Sequence, residues 1–183
     1  GQLGWFPSRS TLNDLVNLSV TTLEPLFQQM CRELFRQTIV MTDDTRIRLL
    51  TREGLTEEQQ EQLASRIRGK ETSDEEVDPV VEKSGSVTSY AWVYAGLDDS
   101  APYQVFYWSL MRTHAVVDAH LATYTGTIVG DAYDGYTSIA QRTAGRVNHS
   151  GCNTHARRGF TDAESEEPIL SARAISFYAQ LYA

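Results

Sequence analysis

Thr38-Ile39-Val40-Met41-Thr42-Asp43-Asp44-Thr45-Arg46-Ile47-Arg48-Leu49-Leu50 is the stretch that decides the fold of this chain. β-Branched residues lead up to a pair of acids, and beyond them polar and apolar residues alternate, so the segment predicts a strand with acids in its middle. Two more strands follow. Ser89 to Leu97 and Tyr103 to Leu110 alternate in the same way and are joined by Asp98-Asp99-Ser100-Ala101-Pro102, which makes them a hairpin. The hairpin carries Tyr90, Trp92, Tyr94, Tyr103, Phe106, Tyr107 and Trp108. Such a cluster serves single-strand binders as a base-stacking platform. Alternation along a hairpin instead buries one aromatic face in a core, and that is the expectation here.

Toward the C-terminus, His114 to Tyr124 predicts a helix with Val116, Val117, His120 and Leu121 on one side. Gly126 releases the chain into a short apolar strand, Thr127 to Tyr133, with Asp131 near its C-terminal end. A helix from Tyr136 to Gln141, a strand around Arg146 to Cys152 and helical segments near 154–164 and 168–182 follow. Toward the N-terminus, apolar residues from Leu12 to Phe35 recur at spacings of three and four, a helical lead-in over residues 1–37 whose stripe is expected to pack on the main domain. Ser10 or Thr11 is its expected cap, and Pro25 is expected to kink it or to begin a second helix. An acidic insertion at about 53–86 holds a short predicted helix from Thr56 to Arg68; its second half has too few apolar residues to offset its ordering entropy and reads as mobile. The order strand, hairpin, helix, strand, helix, strand describes an α/β domain over residues 38–183. Its architecture is a ribonuclease-H-like mixed five-stranded sheet, three antiparallel strands and then two parallel ones, with flanking helices.

A chain of 183 residues that is 41% hydrophobic can bury one sizeable core, so one main domain is expected. It contains no apolar run of membrane-spanning length and no signal-peptide pattern at its start, which points to a soluble cytoplasmic protein without a membrane partner. Cys31 and Cys152 are too sparse for a disulfide framework and are expected to be reduced. The net charge of -8 speaks against a polyanionic partner, because phosphates are contacted mainly by Lys and Arg. The charge is uneven, however. Residues 53–82 hold ten acids against three bases, and between Gly135 and Thr161 there is no acid while Arg142, Arg146, Arg157 and Arg158 occur with His149 and His155. A basic strip on one surface is compatible with this pattern, as are scattered solvated arginines.

Two acids stand out for chemistry. In the expected sheet the strands of Asp43 and Asp131 are neighbours, which brings carboxylates 88 residues apart in sequence to one edge. Hard divalent ions such as Mg2+ take oxygen ligands and are commonly held by one or two carboxylates together with substrate phosphates. A pair of such ions about 4 Å apart activates a water and stabilises the leaving oxygen in phosphoryl transfer. The bland alternative is that an acid in a strand faces solvent or caps a turn.

A family resemblance adds to this. Met41-Thr42-Asp43-Asp44-Thr45 followed by Ile47-Arg48-Leu49-Leu50 resembles the first catalytic motif of the bacterial insertion-sequence sixty-six family of transposases. Tyr90-Ala91-Trp92-Val93-Tyr94 resembles that family's next strand, and Asp131-Ala132-Tyr133-Asp134-Gly135-Tyr136 its second catalytic motif. Gly151-Cys152-Asn153-Thr154-His155-Ala156-Arg157-Arg158-Gly159-Phe160 resembles its Cys-x-x-His-Ala-Arg-Arg signature. The resemblance runs in order from about Ser8 to the C-terminus. It implies a DDE-type transposase catalytic domain in which Asp43 and Asp131 are the first two members of an acidic triad binding Mg2+ or Mn2+. It also implies DNA partners (transposon ends and target), a partner subunit in the assembled complex, and action at the bacterial nucleoid. Cys152 and His155 take a structural, site-supporting role, and Arg157 and Arg158, on the helix that follows, are candidate phosphate contacts.

Three departures bear on activity. Asp44 and Arg46 stand where the family usually has glutamate and proline, and the acidic stretch is longer than the usual connection. The family's third acid lies further downstream than Ala183, so the expectation is an incomplete domain that does not cut DNA alone. Glu164, Glu166 and Glu167 are substitute candidates that would make a ribonuclease-H-like nuclease, although an exposed helix face explains them better. Zinc is disfavoured: Cys152 and His155 have the spacing of half a site, and Cys31, His114, His120 and His149 supply no zinc-like complement. The reading from a different class is a non-catalytic remnant or interaction module that keeps the fold.

Overall fold

The structure, a computed structural model, describes residues 7–50, 61 and 86–181. The helix expected over Thr56 to Arg68, Glu61 apart, and most of the acidic insertion lie outside the described residues. In chain order the elements are α1 (Arg9–Leu34), β1 (Ile39–Leu50), β2 (Ser86–Gly96), β3 (Gln104–Ser109), α2 (His114–His120) and β4 (Gly126–Gly130). They continue with α3 (Asp134–Thr137), α4 (Ile139–Arg142), β5 (Val147–Gly151), α5 (Asn153–Asp162), a 3-10 turn (Ala163–Ser165) and α6 (Pro168–Leu181). The strands form one sheet in the order β3-β2-β1-β4-β5, with β1 to β3 antiparallel and β4 and β5 parallel to β1. This is the ribonuclease-H-like mixed sheet.

β1 is the hinge of the arrangement. It pairs with β2 from Val40 to Leu50 but with β4 only from Ile39 to Met41. Beyond Met41 the edge of β1 facing β4 carries no ladder, so the sheet splits where β4 ends, beside the continuing β1. Open α/β sheets bind ligands at such a crevice.

The core lies on one face. Val40 and Thr42 of β1, Tyr90, Trp92 and Tyr94 of β2, Val105 of β3 and Ile128 of β4 are buried there against Cys31 and Leu34 of α1, Val117 of α2, Leu121 and Tyr136. Trp92 and Tyr94 are fully enclosed, and truncating either would cost about 3–5 kcal/mol. The expected alternation holds on β3 as well: Val105 is buried and Tyr107 half-buried, whereas Phe106 and Trp108 face outward. Two indoles lock the hairpin, Trp92 Nε1 donating to Ser109 Oγ at 2.7 Å and Trp108 Nε1 to Ser89 Oγ at 2.9 Å.

The chain between α1 and β1 is tied to the far hairpin by Gln37. Its buried carboxamide accepts from Leu97 N at 2.8 Å and donates to Asp98 Oδ1 at 3.0 Å. On the other side, the Tyr124 hydroxyl donates to the carbonyls of Thr38 and Thr127 at 3.0 Å. Gly126 lets these backbones approach, since a Cβ there would lie 2.5 Å from the Thr38 oxygen.

Several elements differ from the sequence expectation. α1 runs unbroken through Pro25 and is capped by Ser8, whose Oγ accepts from Thr11 N at 3.0 Å. Ser19, Thr21 and Thr22 return their hydroxyls to carbonyls four residues back in the turns before the proline. The stripe of α1 packs on the domain only at its end. Phe27, Met30, Cys31 and Leu34 meet the sheet, whereas Leu12, Val16, Leu23 and Leu26 are exposed. β4 ends at Gly130 because the Asp131 carboxylate accepts from Tyr133 N at 3.0 Å and turns the chain. The helix expected from Tyr136 to Gln141 is two single turns, α3 and α4, and β2 begins at Ser86, inside the expected insertion.

Candidate active site

The split between β1 and β4 collects the acids. Asp43 lies two residues beyond Met41 and Asp131 two beyond Val129, the last pair of the β1–β4 ladder. Pleating sends successive β1 side chains to opposite faces. Asp44 therefore joins Thr42 on the core side with a side chain only 6% exposed, while Asp43, 51% exposed, faces the other way. Asp131, at 26%, sits between these environments. Asp43 Oδ1 accepts from the amide of Asp44 at 2.9 Å, and its Oδ2 lies 3.8 Å from Nε2 of His155.

His155 is held by the parallel ladder. β5 ends at Gly151, Cys152 N donates to Gly130 O at 2.7 Å, and Cys152 occupies the N-cap position of α5. One turn into α5, His155 comes over the acids. The neighbouring Cys152 thiol raises the pKa of His155 against partial burial, with Asp43 and Asp131 adding to the rise. The Cys152 thiol, though partly desolvated, is held below its ordinary range by the amides of His155 and Thr154 and the His155 ring.

Arg112 closes the other side of the site. It follows β3 after the buried Leu110, in a segment fixed by Ser109 Oγ donating to the Met111 carbonyl at 2.7 Å. Its Nε donates to both oxygens of Asp44 at 3.0 Å and its Nη2 to Oδ1 at 2.9 Å. The same Nη2 lies 3.5 Å from Asp131 Oδ2. The guanidinium rests on the Tyr133 ring, 3.8 Å from its centroid. Burial raises the pKa of Asp44, and the Arg112 charge opposes that rise.

The remaining sequence candidates lie elsewhere. Arg157 and Arg158 are exposed on α5, while Arg142 and Arg146 are committed internally. Arg142 pairs with Asp118 at 2.9 Å and donates to the Gly135 carbonyl, and Arg146 donates to the carbonyls of Leu121 and Tyr124. Of the four arginines that could have formed a basic strip, only the pair on α5 is exposed. Glu164, Glu166 and Glu167 are exposed around the 3-10 turn. Cys31 is buried beneath the Tyr107 hydroxyl, 3.2 Å away, and Cys152 lies at the β5 end; both are free thiols.

Chemically, Asp43 and Asp131 offer accessible carboxylate oxygens, the donor type that hard divalent ions select. Among the described residues no group of three or more His, Cys, Asp or Glu side chains is arranged to hold a metal ion. Sequence reading missed Arg112 entirely. Its signal was nevertheless present, because Arg112 is the sole Lys or Arg between Lys83 and Arg142, beside a hairpin end.

No described helix is long and apolar enough to cross a membrane. A family model described as "Transposase IS66 family" matches residues 64–183, a span that includes Arg112, Asp131, Cys152 and His155 and begins downstream of Asp43. No curated protein and no solved structure matches the chain.

Proposed function

Because this chain belongs to the IS66 family of transposases, we propose that residues 38–183 form the DDE-type catalytic domain, with α1 as its lead-in. In this reading Asp43 and Asp131 contribute two of three acids for a site binding Mg2+ or Mn2+. The observation that carries it is the split of β1 from β4, which brings together two accessible carboxylates, Asp43 within β1 and Asp131 just past the carboxyl end of β4.

The protein's own groups divide the work. Asp43 and Asp131 would hold the ions, which would supply Lewis acidity for hydrolysis of a strand at an element end and for attack of the freed hydroxyl on a phosphodiester of the target DNA. Asp131 is pre-oriented by its bond to the Tyr133 amide and by Arg112. Cys152 anchors the start of α5 to β4 and so sets the place of His155 beside Asp43. Arg157 and Arg158 contact DNA phosphates, positioning without reading sequence. Asp44 is committed to Arg112, and among the described residues no third acid joins Asp43 and Asp131 in a metal-holding group, which supports a reading in which this chain does not cleave DNA alone. Transposon ends, target DNA and a second subunit complete the working complex at the bacterial nucleoid, in the cytoplasm.

The test is Mg2+ or Mn2+ titration by calorimetry on the parent and on Asp43→Asn and Asp131→Asn. Binding in the parent that disappears in both variants supports the reading. The absence of a three-ligand group among the described residues favours a second reading, a non-catalytic remnant or interaction module. A parent chain that binds neither ion would select that second reading.

A further inference from the structure

One guanidinium serves two carboxylates at this edge, and it serves them unequally. Asp44 is the buried partner and receives three hydrogen bonds of 2.9–3.0 Å from Arg112. Asp131 is more accessible and lies 3.5 Å from the same Nη2, an ion-pair distance beyond a good hydrogen bond. Asp43 adds a third negative charge to the neighbourhood of Asp44. The Tyr133 ring lies beneath the guanidinium, its centroid 3.8 Å from Cζ. Arg112 is thus anchored through Asp44 and only lightly engaged with Asp131.

We propose that Arg112 is the resident counter-cation of this edge, holding Asp44 permanently and Asp131 in competition with an incoming divalent ion. The inference rests on the assignment of Asp131 as a metal ligand. It gives Arg112 a positioning role: before metal arrives, Arg112 limits repulsion among Asp43, Asp44 and Asp131 and keeps Asp131 aimed into the split. An ion that binds Asp131 displaces one 3.5 Å contact and leaves the buried Asp44 pair intact. The site then exchanges one cation for another without leaving the buried Asp44 carboxylate unpaired.

The prediction concerns metal affinity, which a purely structural arginine would not raise when removed. In Arg112→Gln the repelling unit charge 3.5 Å from Asp131 Oδ2 is gone, so Mn2+ binds on the order of tenfold more tightly in calorimetric titration. Arg112→Lys retains the charge and stays within about threefold of the parent. Arg112→Gln leaves Asp44 buried and unpaired, so the comparison is repeated between Asp44→Asn and the Asp44→Asn/Arg112→Gln double variant, with circular dichroism confirming the fold of each. The same tenfold ratio is expected there. Unchanged or weaker binding on removing Arg112 in the folded double variant overturns the proposal, as does equal behaviour of the Lys and Gln variants. A parent that binds no Mn2+ overturns the metal-site reading and this inference together, whereas a binding parent with a flat Arg112 series overturns this inference alone.

Discussion

His120 makes the stability of the fold depend on pH in a calculable way. Its ring stacks on Tyr107 with centroids 4.5 Å apart, meets Trp92 edge-on and lies 3.1 Å from the Tyr94 hydroxyl through Nδ1. Burial lowers its pKa from 6.5 to about 4. A depressed histidine pKa means that the unfolded chain takes up the proton first. The contribution is therefore intact above pH 6.5 and is lost progressively as pH falls toward 4. Between pH 7.5 and 5.0 the linkage amounts to about 2 kcal/mol for a fully enclosed ring, and to about 1–1.5 kcal/mol once the partial exposure of His120 is allowed for. Replacing His120 by Phe keeps the stack on Tyr107 and removes the titration, at a roughly pH-independent cost of about 1 kcal/mol for the lost Tyr94 partner. Urea unfolding of parent and His120→Phe at both pH values isolates the histidine, because the carboxylates common to both proteins cancel in the difference. The parent should lose about 1–1.5 kcal/mol more than the variant on going to pH 5.0. Parallel losses in the two proteins would refute the reasoning.

Two further outcomes follow from the same structure. Gln37→Ala removes the buried carboxamide that accepts from Leu97 N and should cost about 2 kcal/mol in urea unfolding, with faster hydrogen exchange at the Leu97 amide; a loss under about 0.5 kcal/mol would remove Gln37 as the latch between α1 and the hairpin. Arg157→Ala and Arg158→Ala should each weaken DNA binding in a filter assay and reduce the salt dependence of log K by about one, equally on unrelated sequences; an unchanged slope would take these arginines out of the phosphate contacts.

The sheet was legible because its signals are local. Alternation in Thr38–Leu50 and in the two aromatic strands determines which side chains face inward, and Trp92, Tyr94 and Val105 are buried on that face. Boundaries failed where a side chain bonded to nearby backbone. The Asp131 carboxylate stops β4 by capturing the Tyr133 amide, and the Ser138 hydroxyl, donating to Asp134 O at 2.6 Å, accompanies the break between α3 and α4. Pro25 misled in the opposite direction, since the loss of one amide donor did not end α1.

What sequence periodicity cannot convey is which partner a charged side chain finds. Arg142 and Arg146 looked like candidates for a basic surface, yet Asp118 and the carbonyls at the end of α2 take them up. Arg112 carried no motif, and its significance comes from contacts 68 residues away at Asp44. Periodicity likewise drew the α1 stripe as one continuous face, but the sheet reaches only its final turns.

The short ladder between β1 and β4 has a mechanical consequence. Strands joined by hydrogen bonds keep fixed spacing, and groups mounted on them inherit that rigidity. Past Met41 and Val129 no such bond ties the two strands, so the separation of Asp43 from Asp131 is governed by side-chain torsions and by the charges around them. Drawing the two carboxylates inward then costs on the order of 1 kcal/mol of rotamer strain rather than a broken backbone ladder. The edge behaves as an adjustable caliper mounted on a rigid frame, able to fit its jaws to what it grips while the sheet behind it stays still.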